Sequence, residues 1–190
     1  MVIELFGLPG AGKSTLAKEL SERLVVPVVR LSLFSRIFYW KMFALRSPKE
    51  AFRAVQFLFH HGRNHRYALF MNGCVDRYGR LSKAQKEGGI VDEGPLQNVL
   101  SFPSRTLFEK EMVEIIASLP HPDVLIHVSV DQAMRMNRQV SRGRVVRDGA
   151  WEAYATENER LAISALPPKV VVLRYPEMSV DAIVEHIRAL

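Results

Sequence analysis

A chain of 190 residues with 48% apolar content is long enough to bury one core and short for two, which excludes a disordered chain. Its net charge of +6 admits a phosphorylated ligand, anionic lipid or nucleic acid as partner. One cysteine, Cys74, excludes an internal disulfide and fits a reducing compartment. No apolar run is long enough to cross a bilayer; "LSLFSRIFYWKMFAL" is broken by Arg36 and Lys41. With no basic leader ahead of the first apolar run, the chain is expected to be cytoplasmic, free or at a membrane surface.

The first element, Val2–Phe6, reads as a buried strand, and "GLPGAGKST" follows it from Gly7 to Thr15. This is the pattern G-x-x-x-x-G-K-[ST]. Glycines at Gly7, Gly10 and Gly12 let the backbone turn tightly and aim N–H groups at an anion. The helix that follows, Ser14–Leu24, adds the positive end of its dipole. The candidate ATP-binding residues are therefore Gly7, Leu8, Pro9, Gly10, Ala11, Gly12, Lys13, Ser14 and Thr15. Lys13 is expected at the β and γ phosphates and the Ser14 hydroxyl on Mg²⁺.

Val25–Leu31 reads as the second strand. Residues 33–87 then have a different texture, predominantly basic and helical. From Arg30 to Lys86, twelve basic residues are opposed only by Glu50 and Asp76. "SPKEAFRAVQFLFHH" opens with a capping box, Ser47 to Glu50, and places Phe52, Val55 and Phe59 on one stripe. Aromatic residues interleave with Arg and His in "FYWKMF" and "FLFHHGRNHRY". Such a surface suits a phosphorylated acceptor, a stacked sugar, a lipid-linked substrate or an anionic membrane. For any single aromatic, a place in the core is the simpler reading. His60, His61 and His65 tempt a metal reading, but adjacent histidines do not share a helix face, so no metal beyond Mg²⁺ is expected.

"GGIVDEG" is a short strand ending on Asp92 and Glu93. In a parallel sheet that end faces the ligand crevice. Asp92 is a candidate Mg²⁺ ligand and Glu93 a candidate base for the acceptor hydroxyl; the two roles are interchangeable on sequence grounds. Phe108–Leu119 reads as a helix burying Met112, Ile115, Ile116 and Leu119, followed by a strand over Val124–Val130. The helix "DQAMRMNRQVSRG" starts from Asp131 as N-cap. Arg135, Arg138 and Arg142 share one of its faces, and Gly143 marks a break before Arg144 and Arg147. Like charges gathered there suit an anion, and arginines arriving from a lid at 138–150 would stabilise a transferring phosphoryl group. A solvated basic face or a nucleic-acid contact is the alternative. "WEAYATENERLAISAL", the strand Val170–Leu173 and a helix capped by Ser179 close the chain. Strands alternating with helices predict an α/β domain with a parallel sheet covered on both faces.

With "GLPGAGKST", "VDEG" and "PDVLIHVSVDQAMRMNRQVSRGR" in this order, the sequence resembles the P-loop kinase superfamily of nucleoside and nucleotide kinases, most nearly its thymidylate-kinase-like members. The resemblance covers both ends of the chain well and the middle poorly. It implies a three-layer fold with a five-stranded parallel sheet in order 2-3-1-4-5, helices on both faces and a helical acceptor-binding insertion between strands 2 and 3. It also implies ATP and Mg²⁺ as cofactors, transfer of a phosphoryl group to a small-molecule acceptor, and a place for Arg138 against the adenine or phosphates. "RYPEMS" would border the adenine. Lys13, Asp92, Glu93, Arg138, Arg142 and Arg144 form the implied catalytic set, with Ser14 and Asp92 on the metal and Arg36 and Arg105 toward the acceptor. The chain departs from the pattern at Gly94-Pro95, where many nucleotide kinases follow their acidic residue with an arginine. The acceptor class, nucleotide, nucleoside or sugar, does not carry over. A regulatory GTPase would need N-K-x-D and D-x-x-G, neither of which occurs in the expected place. A kinase or ATPase acting on nucleic acid, or at a membrane on a lipid-linked glycan, is the alternative use of the basic insertion.

Overall fold

The computed structural model describes residues 1–61, 66–141, 143 and 149–190. β1 (Val2–Phe6) runs into the glycine-rich turn and α1 (Lys13–Leu24). Four helices and a π-helical turn follow: α2 (Leu33–Arg46), α3 (Pro48–His61), α4 (Arg66–Leu69), the turn Phe70–Asp76, and α5 (Arg77–Glu87). β2 (Gly89–Val91) comes next, then a single 3₁₀ turn, α6 (Asn98–Ser101), α7 (Glu109–Ser118), β3 (Val124–Val128), α8 (Gln132–Ser141), α9 (Gly149–Ser164), β4 (Val171–Tyr175) and α10 (Val180–Arg188).

The sheet is parallel and four-stranded, in the order β2-β1-β3-β4. The chain leaves β1 toward β2 on one side and continues to β3 on the other, so strand order reverses at β1 and opens a crevice beyond its carboxyl end. Alternation along β1 supplies both layers. Ile3 and Leu5 pack with Leu16 and Leu20 of α1 and Ile183 and Ile187 of α10. Phe6 faces the other side, with Leu100, Met112, Ile116, Ala155 and Ala162. Both faces are covered, as a parallel sheet requires.

The fifth strand expected over Val25–Leu31 does not form. Val25, at φ +58°, closes α1 in a left-handed turn, and Pro27 has no N–H to give. The segment runs beside β2 through two bonds only, Ile90 N–H to the Pro27 carbonyl (2.9 Å) and Val29 N–H to the Ile90 carbonyl (2.8 Å). Val29 still packs against Val2, Leu81 and Val91. An apolar β-branched run thus supplies core without completing a ladder.

Residues 33–46, 48–61 and 77–87 are helical, as read from sequence. The stripe of α3 points the other way, however. Ala51, Ala54, Leu58 and His61 are buried, whereas Phe52 and Phe59 are exposed. Small residues at 51 and 54 let α3 approach its neighbours closely, which turns the larger Phe52 outward. The Asp131 and Ser179 caps form, accepting from the N–H of Met134 and Ala182 respectively.

Candidate functional site

The turn after β1 forms a cradle. Gly7, Gly10 and Gly12 adopt φ of +153°, +87° and +101°. At Gly7 the need is also steric, because a Cβ would sit 2.3 Å from the Val128 carbonyl oxygen. Gly7→Ala should lower stability by about 1–3 kcal/mol through overpacking against β3. The effect is read as a fall in the urea midpoint. Lys13, the first residue of α1, is buried and folds back onto the cradle, donating to the carbonyls of Gly7 (2.6 Å) and Leu8 (3.2 Å). Burial pulls its ammonium down to about 8, against the opposing pull of Glu93 and weaker contributions from Glu159 and Asp92.

β2 delivers the acidic pair to the same place. Asp92 is buried and held on three sides. The Ser14 hydroxyl donates to its Oδ2 at 3.2 Å, Arg80 reaches Oδ1 at 2.8 Å and Arg30 reaches Oδ2 at 3.0 Å. Glu93 keeps a side chain 47% exposed, 3.6 Å from the Arg77 guanidinium. It is the strongest acidic influence on Lys13. The two adjacent carboxylates therefore differ sharply, one locked and one open.

Four residues of this neighbourhood were not singled out from sequence. Arg77 and Arg80 come from the first turn of α5, and Asp76 immediately precedes it. Arg77 is packed beneath Glu93, donating to Asn98 Oδ1 (2.6 Å) and Ser101 Oγ (3.1 Å). Arg80 bridges Asp76 (2.7 Å) and Asp92. Nothing in "DRYGR" sets these two arginines apart from the other basic residues of the segment. Glu4, in the middle of β1, is fully buried. Its Oε1 accepts from the Leu96 N–H at 3.3 Å, and Oε2 has no hydrogen-bond partner. Burial drives this carboxyl up to about 8, opposed by bonds to the Leu96 and Gly94 backbone and by the charge of Arg77. Gly94 is glycine because any Cβ would lie 2.3 Å from the Glu4 carboxyl carbon.

The remaining arginines have different surroundings, and Arg135 departs from the sequence reading. Arg36 pairs with Asp76 (3.0 Å), and Arg105 grips Glu111 with both oxygens at 2.9 Å. Arg135 is buried and ion-paired with Glu152 of α9, so it balances a carboxylate and does not wait for an anion. Arg138, one turn on, lies over the cradle, 3.4 Å from the Gly10 and Ala11 carbonyls. Gln139 donates to the Pro9 carbonyl at 3.0 Å. Arg142, Arg144, Arg147 and His65 lie outside the described residues. Gly143, at φ +63°, does follow the end of α8. A hollow of about 460 Å³ adjoins the cradle, lined by Thr15, Glu19, Val130, Met134, Arg138, Tyr175 and Pro176.

Comparison with known proteins rests on structure alone, since no family model and no curated protein matches the sequence. Deoxyadenosine kinase from M. mycoides, with its products dCMP and dCDP bound, superposes with a TM-score of 0.54 at 20% identity, over 100% of this chain and 97% of that one. The same enzyme with dCTP gives 0.52 at 15% identity, covering both chains in full. The YorR protein of Bacillus subtilis, in complex with phosphorylated GDP, gives 0.53 at 17% identity over 100% and 94%. The fold is that of the P-loop nucleoside and nucleotide kinases. Its sheet here is one strand short of the five expected.

A second hollow, of about 590 Å³, lies between α3 and α7 and touches no cradle residue. On its wall His60, His61 and Glu111 bring ligand atoms within 4.8 Å of one another, although neighbouring histidines were expected to diverge. Both Glu111 oxygens also accept from Arg105. Among the described residues no helix is long and apolar enough to cross a membrane.

Proposed function

We propose that this protein is an ATP-dependent phosphotransferase that moves the γ-phosphate of Mg-ATP to a hydroxyl of a small, uncharged acceptor. The observation that carries the reading is the convergence of Lys13, Ser14, Asp92 and Glu93 at the carboxyl ends of β1 and β2, on a kinase-like fold. The cradle binds the β and γ phosphates through backbone N–H groups, and Lys13 leaves its two carbonyls to neutralise them. The hollow beside Arg138, Tyr175 and Pro176 takes the base; its volume is in the range of small-ligand pockets.

Ser14 and Asp92 offer oxygen donors already in contact, a set that suits a hard divalent cation. Bound there, Mg²⁺ would neutralise charge on the β and γ phosphates. Glu93, open and beside Lys13, takes the proton of the acceptor hydroxyl, and Arg77 orients its carboxylate. Arg138 adds positive charge from α8, joined by Arg142 and Arg144 if the lid follows the family resemblance.

The uncharged acceptor follows from the ion pairs. Arg36, Arg77 and Arg80 each already face a carboxylate. An acceptor carrying its own phosphate would have to break one of these pairs, and a neutral hydroxyl would not. The test is transfer of labelled γ-phosphate from Mg-ATP to separate pools of nucleosides, sugars, nucleoside monophosphates and sugar phosphates. Label should enter a neutral pool and fall on the order of 10²–10³-fold in Lys13→Ala, the loss of a preorganised charge. Transfer only to monophosphates would sink the uncharged acceptor. Release of free phosphate alone, indifferent to every pool, would sink the kinase.

A further inference from the structure

α2 has two dissimilar sides. Phe43, Trp40 and Arg36 turn inward, toward the packed core and Asp76. Phe34, Ile37, Phe38, Lys41 and Leu45 recur at helical spacing on the opposite side. Phe34 is 86% exposed, Phe38 57% and Leu45 78%, with Ile37 at the edge of exposure. A stripe of large apolar side chains on a solvent-facing helix is an unpaired surface and not ordinary scatter.

Charge decides what covers it. Lys41 sits in the middle of the stripe. Arg46 and Lys86 share a small hollow with Phe38 and so flank it. Among the described residues, none of these three cations has an acidic partner, and neither do Lys49 and Arg53 on α3. Glu87, the acid on α5 next to Lys86, is engaged with Tyr39 and Lys83. A second copy of the chain, packed about a two-fold axis, would bury Lys41 against like charge. Nucleic acid would meet the cations but leave the aliphatic Ile37 and Leu45 side chains, on which no base stacks, uncovered. A surface that accepts apolar groups and attracts cations at once is an anionic lipid bilayer.

We propose that the outer face of α2 docks this protein on anionic membrane, with Phe34, Phe38 and Leu45 entering the interface and Lys41, Arg46 and Lys86 meeting lipid headgroups. The docking is independent of the phosphotransfer reading, since none of these residues belongs to the crevice.

Flotation of the full chain with vesicles of phosphatidylcholine, with and without phosphatidylglycerol, tests it. The protein should float with the phosphatidylglycerol vesicles alone. Lys41→Ala should weaken that binding roughly fivefold, as for one basic residue at a charged surface. Phe34→Ser/Phe38→Ser should abolish it, with an unaltered thermal transition and unaltered Mg-ATP binding showing that the crevice is intact. Binding that ignores lipid charge, or no flotation at all, overturns the proposal. So does a dimer in solution that Phe34→Ser/Phe38→Ser makes monomeric, which assigns the face to a second copy. Retention on duplex DNA, lost in Lys41→Ala and kept in the serine variant, overturns it in favour of nucleic acid.

Discussion

Glu93→Gln should lower the phosphotransfer rate by about 10²–10⁴-fold while leaving Mg-ATP binding within error of the parent protein, because general-base assistance acts on the transition state. The asymmetry of the acidic pair is the reason to place the effect there. Asp92 is buried and held by Ser14, Arg30 and Arg80, so it cannot move toward an incoming hydroxyl. Glu93 has nearly half its side chain open and a single guanidinium behind it. The amide of glutamine keeps its shape and cannot take a proton. Asp92→Asn should behave differently, weakening Mg-ATP binding and raising the metal concentration needed, since it removes charge from the Ser14 side of the crevice. Single-turnover transfer beside a nucleotide-binding titration separates the two. Full transfer by Glu93→Gln would remove that residue from the chemistry. A collapsed rate with unchanged metal dependence in Asp92→Asn would exchange the roles.

What could be read from sequence is local. β1, the cradle and α1 are contiguous, and each glycine, lysine and serine there has its meaning within nine residues. The acidic pair was legible because a strand end has a fixed place in a parallel sheet. The segment after α1 was misread, since a run of valines looks like a strand whether or not a partner edge is free, and Pro27 and Val25 weaken the ladder. Arg77 and Arg80 were illegible for a different reason. Only the return of α5 to the end of β2 brings them to Glu93 and Asp92, and a basic segment gives no hint which of its members fold back. Arg135 shows the converse. Its spacing suggested an anion site, and α9 supplies Glu152 instead. Glu4 is legible in principle, as a carboxylate inside a strand covered on both faces.

Glu4→Gln should make the protein more stable near pH 8 and remove most of the pH dependence of its stability between pH 5 and 8. In the folded chain the carboxyl holds its proton up to about 8, against an ordinary value of 4.5. The folded state therefore binds more protons than the unfolded one across that window. The contribution is complete below 4.5 and is lost as pH rises to 8, on the order of 3–5 kcal/mol. Lys13 has the opposite sign. Its folded value of about 8 lies below the ordinary 10.5, so its contribution is present above 10.5 and lost as pH falls to 8, about 3 kcal/mol. Together they place a stability minimum near pH 8. Urea midpoints across pH 5–10 should show that minimum in the parent chain. In Glu4→Gln only the limb above pH 8 should remain, with near-equal midpoints for both proteins at pH 5. The same slope between pH 5 and 8 in both would put the buried charge elsewhere. The arrangement bears on the proposed reaction through Arg77, which is drawn electrostatically to Glu93 first and then to Asp76 and Glu4. While Glu4 keeps its proton, the Arg77 charge is shared between Glu93, which draws on it most, and Asp76. Ionisation of Glu4 adds a further carboxylate competing for that charge, so under the proposed chemistry the residue that costs stability near pH 8 also limits how firmly Glu93 is held there.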